Sequence, residues 1–133
     1  MNPQPLAPRQ YTTVVFDREN FDIDGCFDKT TSTFVARRSG IDRLNASAQI
    51  ESPTVGTRTL LALRRNGLPD VMFAKEYPDG SGAYPLSGSC LVKATQGDEF
   101  SVVFHHTDST IRSIESYGPW GTWFTGEFVG KPG

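Results

Sequence analysis

Apolar and polar residues alternate with a period of two along most of this chain, and no stretch shows the three-to-four spacing of an amphipathic helix. The clearest run opens at Gly40, where Leu44, Ala46, Ala48 and Ile50 interleave with Arg43, Asn45, Ser47 and Gln49. Phe100, Val102 and Phe104 alternate with Ser101, Val103 and His105 as a half-buried strand, and Tyr11 to Asp17 sets Val14 and Phe16 against Thr13 and Val15. Thr33 to Ala36 reads as a short strand. Thr57 to Arg65 and Leu68 to Tyr77 flank Asn66-Gly67, a pair that tolerates positive φ and so predicts a hairpin. Ser89 to Ala94 puts Cys90, Val92 and Ala94 on one side, Gln96-Gly97-Asp98 turns the chain, and Ile111 and Ile114 mark a weaker strand ending near Tyr117. The pattern predicts eight to ten short antiparallel strands in an all-β sandwich or jelly roll.

The last run, Trp123 to Val129, is aromatic at its start and near its end and carries Gly126 in the middle. A strand edge presents unpaired N–H and C=O groups, so a run this apolar is expected to lie between earlier strands and close the fold. Phe16, Phe34, Leu44, Phe100, Phe104, Phe124, Gly126 and Phe128 are the expected core positions.

Composition agrees with this reading. The 133 residues suffice for one domain with its own core, and 13 Gly and 9 Pro interrupt the chain too often for long helices. Residues 1–10 hold three prolines and almost nothing to bury, so they read as an extended arm held by the protein's own trimer or by a larger assembly; the domain then spans 11–130, with a tail at 131–133. Thirteen Lys and Arg against fifteen Asp and Glu give a net charge of -2, which is not a nucleic-acid footprint. No apolar stretch is long enough for a membrane helix and no Sec signal is visible, so a soluble chain without membrane insertion is expected. Cys26 and Cys90 read as two free thiols, with a disulfide between them as the second reading.

Candidate chemistry is sparse. His105 and His106 are the only histidines, and neighbours in a strand point to opposite faces, so they cannot share one metal within a subunit. Asn20, Asp22 and Asp24 followed by Gly25 resemble the opening of a calcium loop, but the twelfth position is Thr31 rather than a bidentate Glu. An acidic surface loop is therefore preferred, calcium is the alternative, and no other cofactor is expected. No nucleophile elbow, zinc-protease motif, phosphate loop or C-x-x-C occurs, and the expectation is a protein that is not an enzyme. The sequon at Asn45 lies inside a predicted strand, where glycosylation is not expected. Of the aromatics near the end, Phe124 and Trp123 are expected to pack, whereas Tyr117 and Trp120 flank a Gly-Pro turn and could meet a ligand or partner.

The order of the short motifs resembles the globular domain of the C1q/TNF superfamily. They run Val14-Val15-Phe16-Asp17, Cys26-Phe27-Asp28, Thr31-Ser32-Thr33-Phe34, Gly40, Leu63-Arg64-Arg65-Asn66-Gly67, Ser87-Gly88-Ser89, Gly97-Asp98-Glu99-Phe100 and Phe124-Thr125-Gly126-Glu127-Phe128. The resemblance covers nearly the whole chain and implies a ten-stranded jelly roll that forms a compact homotrimer, does no chemistry and binds through exposed loops. The chain departs from the family at Asp42 and Glu127, where the family buries bulk. Strand parity, joined to the resemblance, sets Val103, His105, Thr125, Glu127 and Val129 on the trimer axis. Three converging Glu127 carboxylates would then need protonation, a bound cation, or compensation by His105 or by an arginine such as Arg43. Asp22, Asp79, Tyr84, Tyr117 and Trp120 mark the loops expected to meet a ligand or partner. The function expected is a trimeric binding or assembly module on a virion surface, either a capsid decoration protein or a host-contacting tip, attached to a larger assembly through the N-terminal arm. The alternative is a soluble C1q-like module, cytoplasmic or exported, that binds carbohydrate or protein.

Overall fold

The structure, a computed structural model of the chain, describes residues 4–16, 27–28, 31–51, 57–77, 84–115 and 122–131. Among these are eleven strands and no helix: β1 Gln4–Leu6, β2 Thr12–Thr13, β3 Phe27–Asp28, β4 Thr33–Val35, β5 Gly40–Ile50, β6 Thr59–Arg65, β7 Leu68–Glu76, β8 Tyr84–Ala94, β9 Glu99–His106, β10 Arg112–Glu115 and β11 Trp123–Gly130. They form two antiparallel sheets. In the five-stranded sheet β5 pairs along its whole length with β8, while β11 and β10 share its other edge end to end and β1 completes the sheet on β10. In the six-stranded sheet β9 pairs with β6, which carries β7; its other edge is shared by β2 and by β4, which carries β3. The closing strand β11 pairs with β5 from Trp123↔Ser47 to Gly130↔Ile41, but among the described residues β5 is its one neighbour, so it lies at an edge of the sheet instead of between two earlier strands as expected.

The sheets bury the faces that alternation marks. Leu44, Ala46, Ala48 and Ile50 of β5 meet Phe100, Val102 and Phe104 of β9, together with Leu61 and Leu63 of β6. Alanines at 46 and 48 leave room for rings. Phe124, opposite Ala46, contacts the rings of Phe16 at 5.5 Å, Phe27 at 5.9 Å and Phe34 at 6.5 Å, in tilted and edge-on geometries that favour aromatic pairs. Gly126 is required for the same reason: a Cβ there would overlap the Phe34 ring and stand 3.0 Å from Leu44. At one end of the sandwich, Asn66 (φ 52°) and Gly67 (φ 81°) form the predicted hairpin turn. The Asn66 side chain accepts from the Glu99 N–H at 2.9 Å and donates to Asp98 at 3.1 Å, tying that turn to the one before β9.

Four further expectations are corrected. Part of the N-terminal segment, expected as an extended arm held by a trimer or a larger assembly, belongs to the domain itself: β1 pairs with β10, Leu6 is 1% exposed in the core, and the Arg9 N–H donates to the His106 carbonyl at 2.8 Å. Three prolines conceal this because Pro5 lies on the edge strand, where a missing N–H costs nothing in the ladder. The strand expected from Ser89 begins at Tyr84, since Pro85 and Gly88 are accommodated along β5. Strand β9 is buried on both faces, with Val103 1% exposed and His105 9%, instead of half-buried. Phe128, expected in the core, is half-buried at its rim under the Arg38 guanidinium, 4.0 Å from the ring centroid. Cys90 is half-buried and carries a free thiol, which burial and then the Asp70 carboxylate push above the ordinary value.

Candidate functional site

Two outward faces remain once the core is assigned, and they point in opposite directions. The expected axial set is divided between them: Thr125, Glu127 and Val129 lie on β11 of the five-stranded sheet, whereas Val103 and His105 lie on β9 of the six-stranded sheet. Two sheets packed face to face turn their odd-numbered positions away from each other, so these five residues cannot share an axis. Alternation sets which way a side chain points within its own strand, but the sheet that a strand joins is set by long-range pairing.

The outward face of the five-stranded sheet is polar and made largely of small side chains. Asn45 donates to the Thr125 hydroxyl at 3.2 Å, and the exposed Ser87 and Ser89 of β8 continue the surface, while Ser47 on β5 is buried. Glu127 stands directly opposite Arg43 in the ladder, and their side chains form an ion pair at 2.6 Å with 39% and 48% exposure. The carboxylate that breaks the apolar character of β11 is thus compensated within its own subunit by Arg43, one of the alternatives expected for it. Beyond this pair the face ends in exposed apolar groups, with Leu91 at 60% and Val129 at 48%.

The outward face of the six-stranded sheet is different. Leu60 and Val103 are nearly buried, Tyr11 and Met72 are 51% and 56% exposed, and between them runs a groove of about 380 Å³ that also takes in Ala62 and Arg64. Register sets Ala62 between Val103 and Met72, and Leu60 between His105 and Lys75. Tyr11 packs on the His105 ring at 4.8 Å, and the Arg64 guanidinium approaches the Tyr11 ring at 5.5 Å. At the far end of Tyr11, Arg58 reaches the Nδ1 of His105 at 3.4 Å, while its Nε is buried with no hydrogen-bond partner among the described residues. Burial first, and then the positive charges of Arg58, His106 and Arg9, hold His105 below the ordinary histidine pKa.

His106 points the other way, as neighbouring strand residues must. Its ring bridges the Leu6 carbonyl at 2.9 Å and the Asp108 N–H at 3.2 Å. A backbone N–H can only donate, so Nδ1 is the acceptor and the ring proton sits on Nε2, facing Leu6. This histidine fastens β1 to the body of the fold. Among the described residues no three His, Cys, Asp or Glu side chains come together to hold a metal.

Of the residues expected to bind, Asn20, Asp22 and Asp24 lie outside the described residues, as do Asp79, Tyr117 and Trp120. Tyr84 is described only through its backbone in β8. The groove was missed, although Leu60-Leu61-Ala62-Leu63 and Val102-Val103-Phe104 are continuous apolar runs. Such runs mark strands covered or grooved on both faces.

No protein-family model and no curated protein matches the sequence. Among solved structures, the globular domain of zebrafish complement 1qA protein is similar, with 18% identity, a TM-score of 0.63, and coverage of 95% of this chain and 91% of that one. At this identity the likeness is one of fold, and the chain adopts the C1q/TNF-like globular fold.

Proposed function

We propose that the protein is a non-catalytic binding and assembly module that works as a homotrimer, with the outward face of the five-stranded sheet turned toward the three-fold axis. The observation that carries this is the character of that face. Four of its polar side chains are paired within the subunit, Asn45 with Thr125 and Arg43 with Glu127, the serines between are small, and Leu91 and Val129 are exposed beside them. A self-satisfied polar patch can be desolvated at lower cost than one with open donors, and exposed apolar groups gain by being covered. The C1q-like fold supports the same reading.

The proposal extends to a role on a virion surface, as a capsid decoration protein or a host-contacting tip. With Leu6 in the core, attachment through a free arm gives way to attachment through the trimer body. The groove on the six-stranded sheet favours a second reading, a soluble binding module. Light scattering tests the assembly: a trimer of the 14.6 kDa chain has a mass of 3 × 14.6, about 44 kDa, and Leu91→Asp should return a folded monomer. A monomeric wild-type chain at micromolar concentration refutes the trimer. Co-sedimentation with particles of virion density, against recovery in the free soluble fraction, separates the two roles.

A further inference from the structure

The groove of about 380 Å³ on the six-stranded sheet has a size suited to a small molecule, an apolar floor, and one cation with capacity to spare. Its floor is Leu60, Ala62 and Val103, with Met72 along one wall and Tyr11 along the other. Arg64 lines it as well. Among the described residues that guanidinium meets only the Tyr11 ring, at 5.5 Å, and makes no hydrogen bond or ion pair. Arg65, next in the chain, shows the contrast: it donates to Asp70 at 3.0 Å and to the Lys93 carbonyl at 3.0 Å, and lies 5.1 Å from the centroid of Phe100. Asp70, the carboxylate among the described lining residues, is ion-paired at 3.0 Å with Arg65, which also stands 3.8 Å from Asp98. Arg64 is thus the lining cation that no carboxylate among the described residues engages. Arg58 and Arg9 add positive charge beyond Tyr11, where both act on His105.

We propose that this groove binds a small amphiphilic anion, an aryl- or alkyl-carboxylate. Its apolar body lies on Leu60, Ala62 and Val103 between Tyr11 and Met72, and its carboxylate is taken by the Arg64 fork. A planar guanidinium with no competing carboxylate matches a carboxylate with two parallel hydrogen bonds. The apolar floor offers no donors for a neutral sugar, which selects against a saccharide. This site is independent of the trimer, because it lies on the opposite sheet from the proposed axis.

The test is titration of the full chain with 4-phenylbutyrate, followed by amide chemical-shift changes and calorimetry, beside its neutral counterpart 4-phenylbutanamide. Shifts are expected in β6, β7 and β9, with the amide bound about tenfold more weakly or worse, as loss of a charge-assisted pair implies. Arg64→Met should weaken the acid by a similar factor and leave the amide unchanged. Met72→Glu, at an exposed position, should weaken the acid through repulsion and crowding, and Lys131→Met, an exposed cation beyond β11, should change neither ligand. Equal binding of acid and amide, shifts centred on the five-stranded sheet, full affinity in Met72→Glu, or no binding by the folded wild-type chain each overturns the assignment.

Discussion

Replacing Leu6 by alanine separates a docked first strand from a free arm. Leu6 is 1% exposed and belongs to the main apolar cluster, and its carbonyl receives the His106 Nε2 proton at 2.9 Å. The backbone contact survives the substitution, so the loss is that of the isobutyl group: transfer of the removed carbons plus the cavity left behind. Buried Leu→Ala changes cost about 2–5 kcal/mol, and about 3 kcal/mol is expected here because β1 is a three-residue strand that can partly collapse into the space. Against a total stability of about 5–15 kcal/mol this is a large fraction. It corresponds to a fall in Tm of roughly 10–15 °C for a domain of this size. The assay is guanidinium unfolding at fixed protein concentration, since assembly makes apparent stability depend on concentration. Pro5→Ala, at an exposed position of the same strand, serves as the control. A loss below about 0.5 kcal/mol for Leu6→Ala, equal to the control, refutes the docking of β1, because surface changes stay within that range.

Gly126→Ala should destabilise by about 1–3 kcal/mol, since the new Cβ collides with Phe34 and approaches Leu44, and a thermal melt reads it directly. His105 titrates below its unfolded value of about 6.5, so the folded state resists protonation; the contribution is complete above that pH and is lost as pH falls below it. Tm measured from pH 7.5 to 5 should therefore drop more in the parent than in His105→Gln, and equal slopes count against the assignment. Asp98 is held below 3.8 first by the Thr95 N–H and then by the Asn66 amide, so its contribution is full above about pH 4 and fades on further acidification. Asn66→Ala should weaken that acid dependence along with the hairpin. A double-mutant cycle of Arg43→Met and Glu127→Gln should give a coupling below about 1 kcal/mol in a monomeric Leu91→Asp background, as for exposed pairs, and a larger one in the trimer where the pair is desolvated.

The sequence by itself determined the elements. Period-two alternation in β5, the Asn66-Gly67 turn and the existence of β11 as a strand follow from local rules, because strand geometry alternates side chains and only certain residues accept positive φ; that β11 takes an edge and that β9 is covered on both faces do not. Six of the eight expected core positions, Phe16, Phe34, Leu44, Phe100, Phe104 and Phe124, are buried, since an apolar face has nowhere else to go. Gly126 meets the same core through the space it leaves for Phe34. What only the tertiary structure decided was which strands share a sheet. The pairing partners of β9 and β11 lie tens of residues away, and no local signal states that one faces Arg64 and the other Arg43. The docking of β1 on β10 joins Gln4 to Ile114 across nearly the whole chain, and it rests on one leucine among prolines and on a histidine proton. The groove arises in the same way, from apolar positions on β6, β7 and β9 that acquire a common floor only when the three strands are laid side by side.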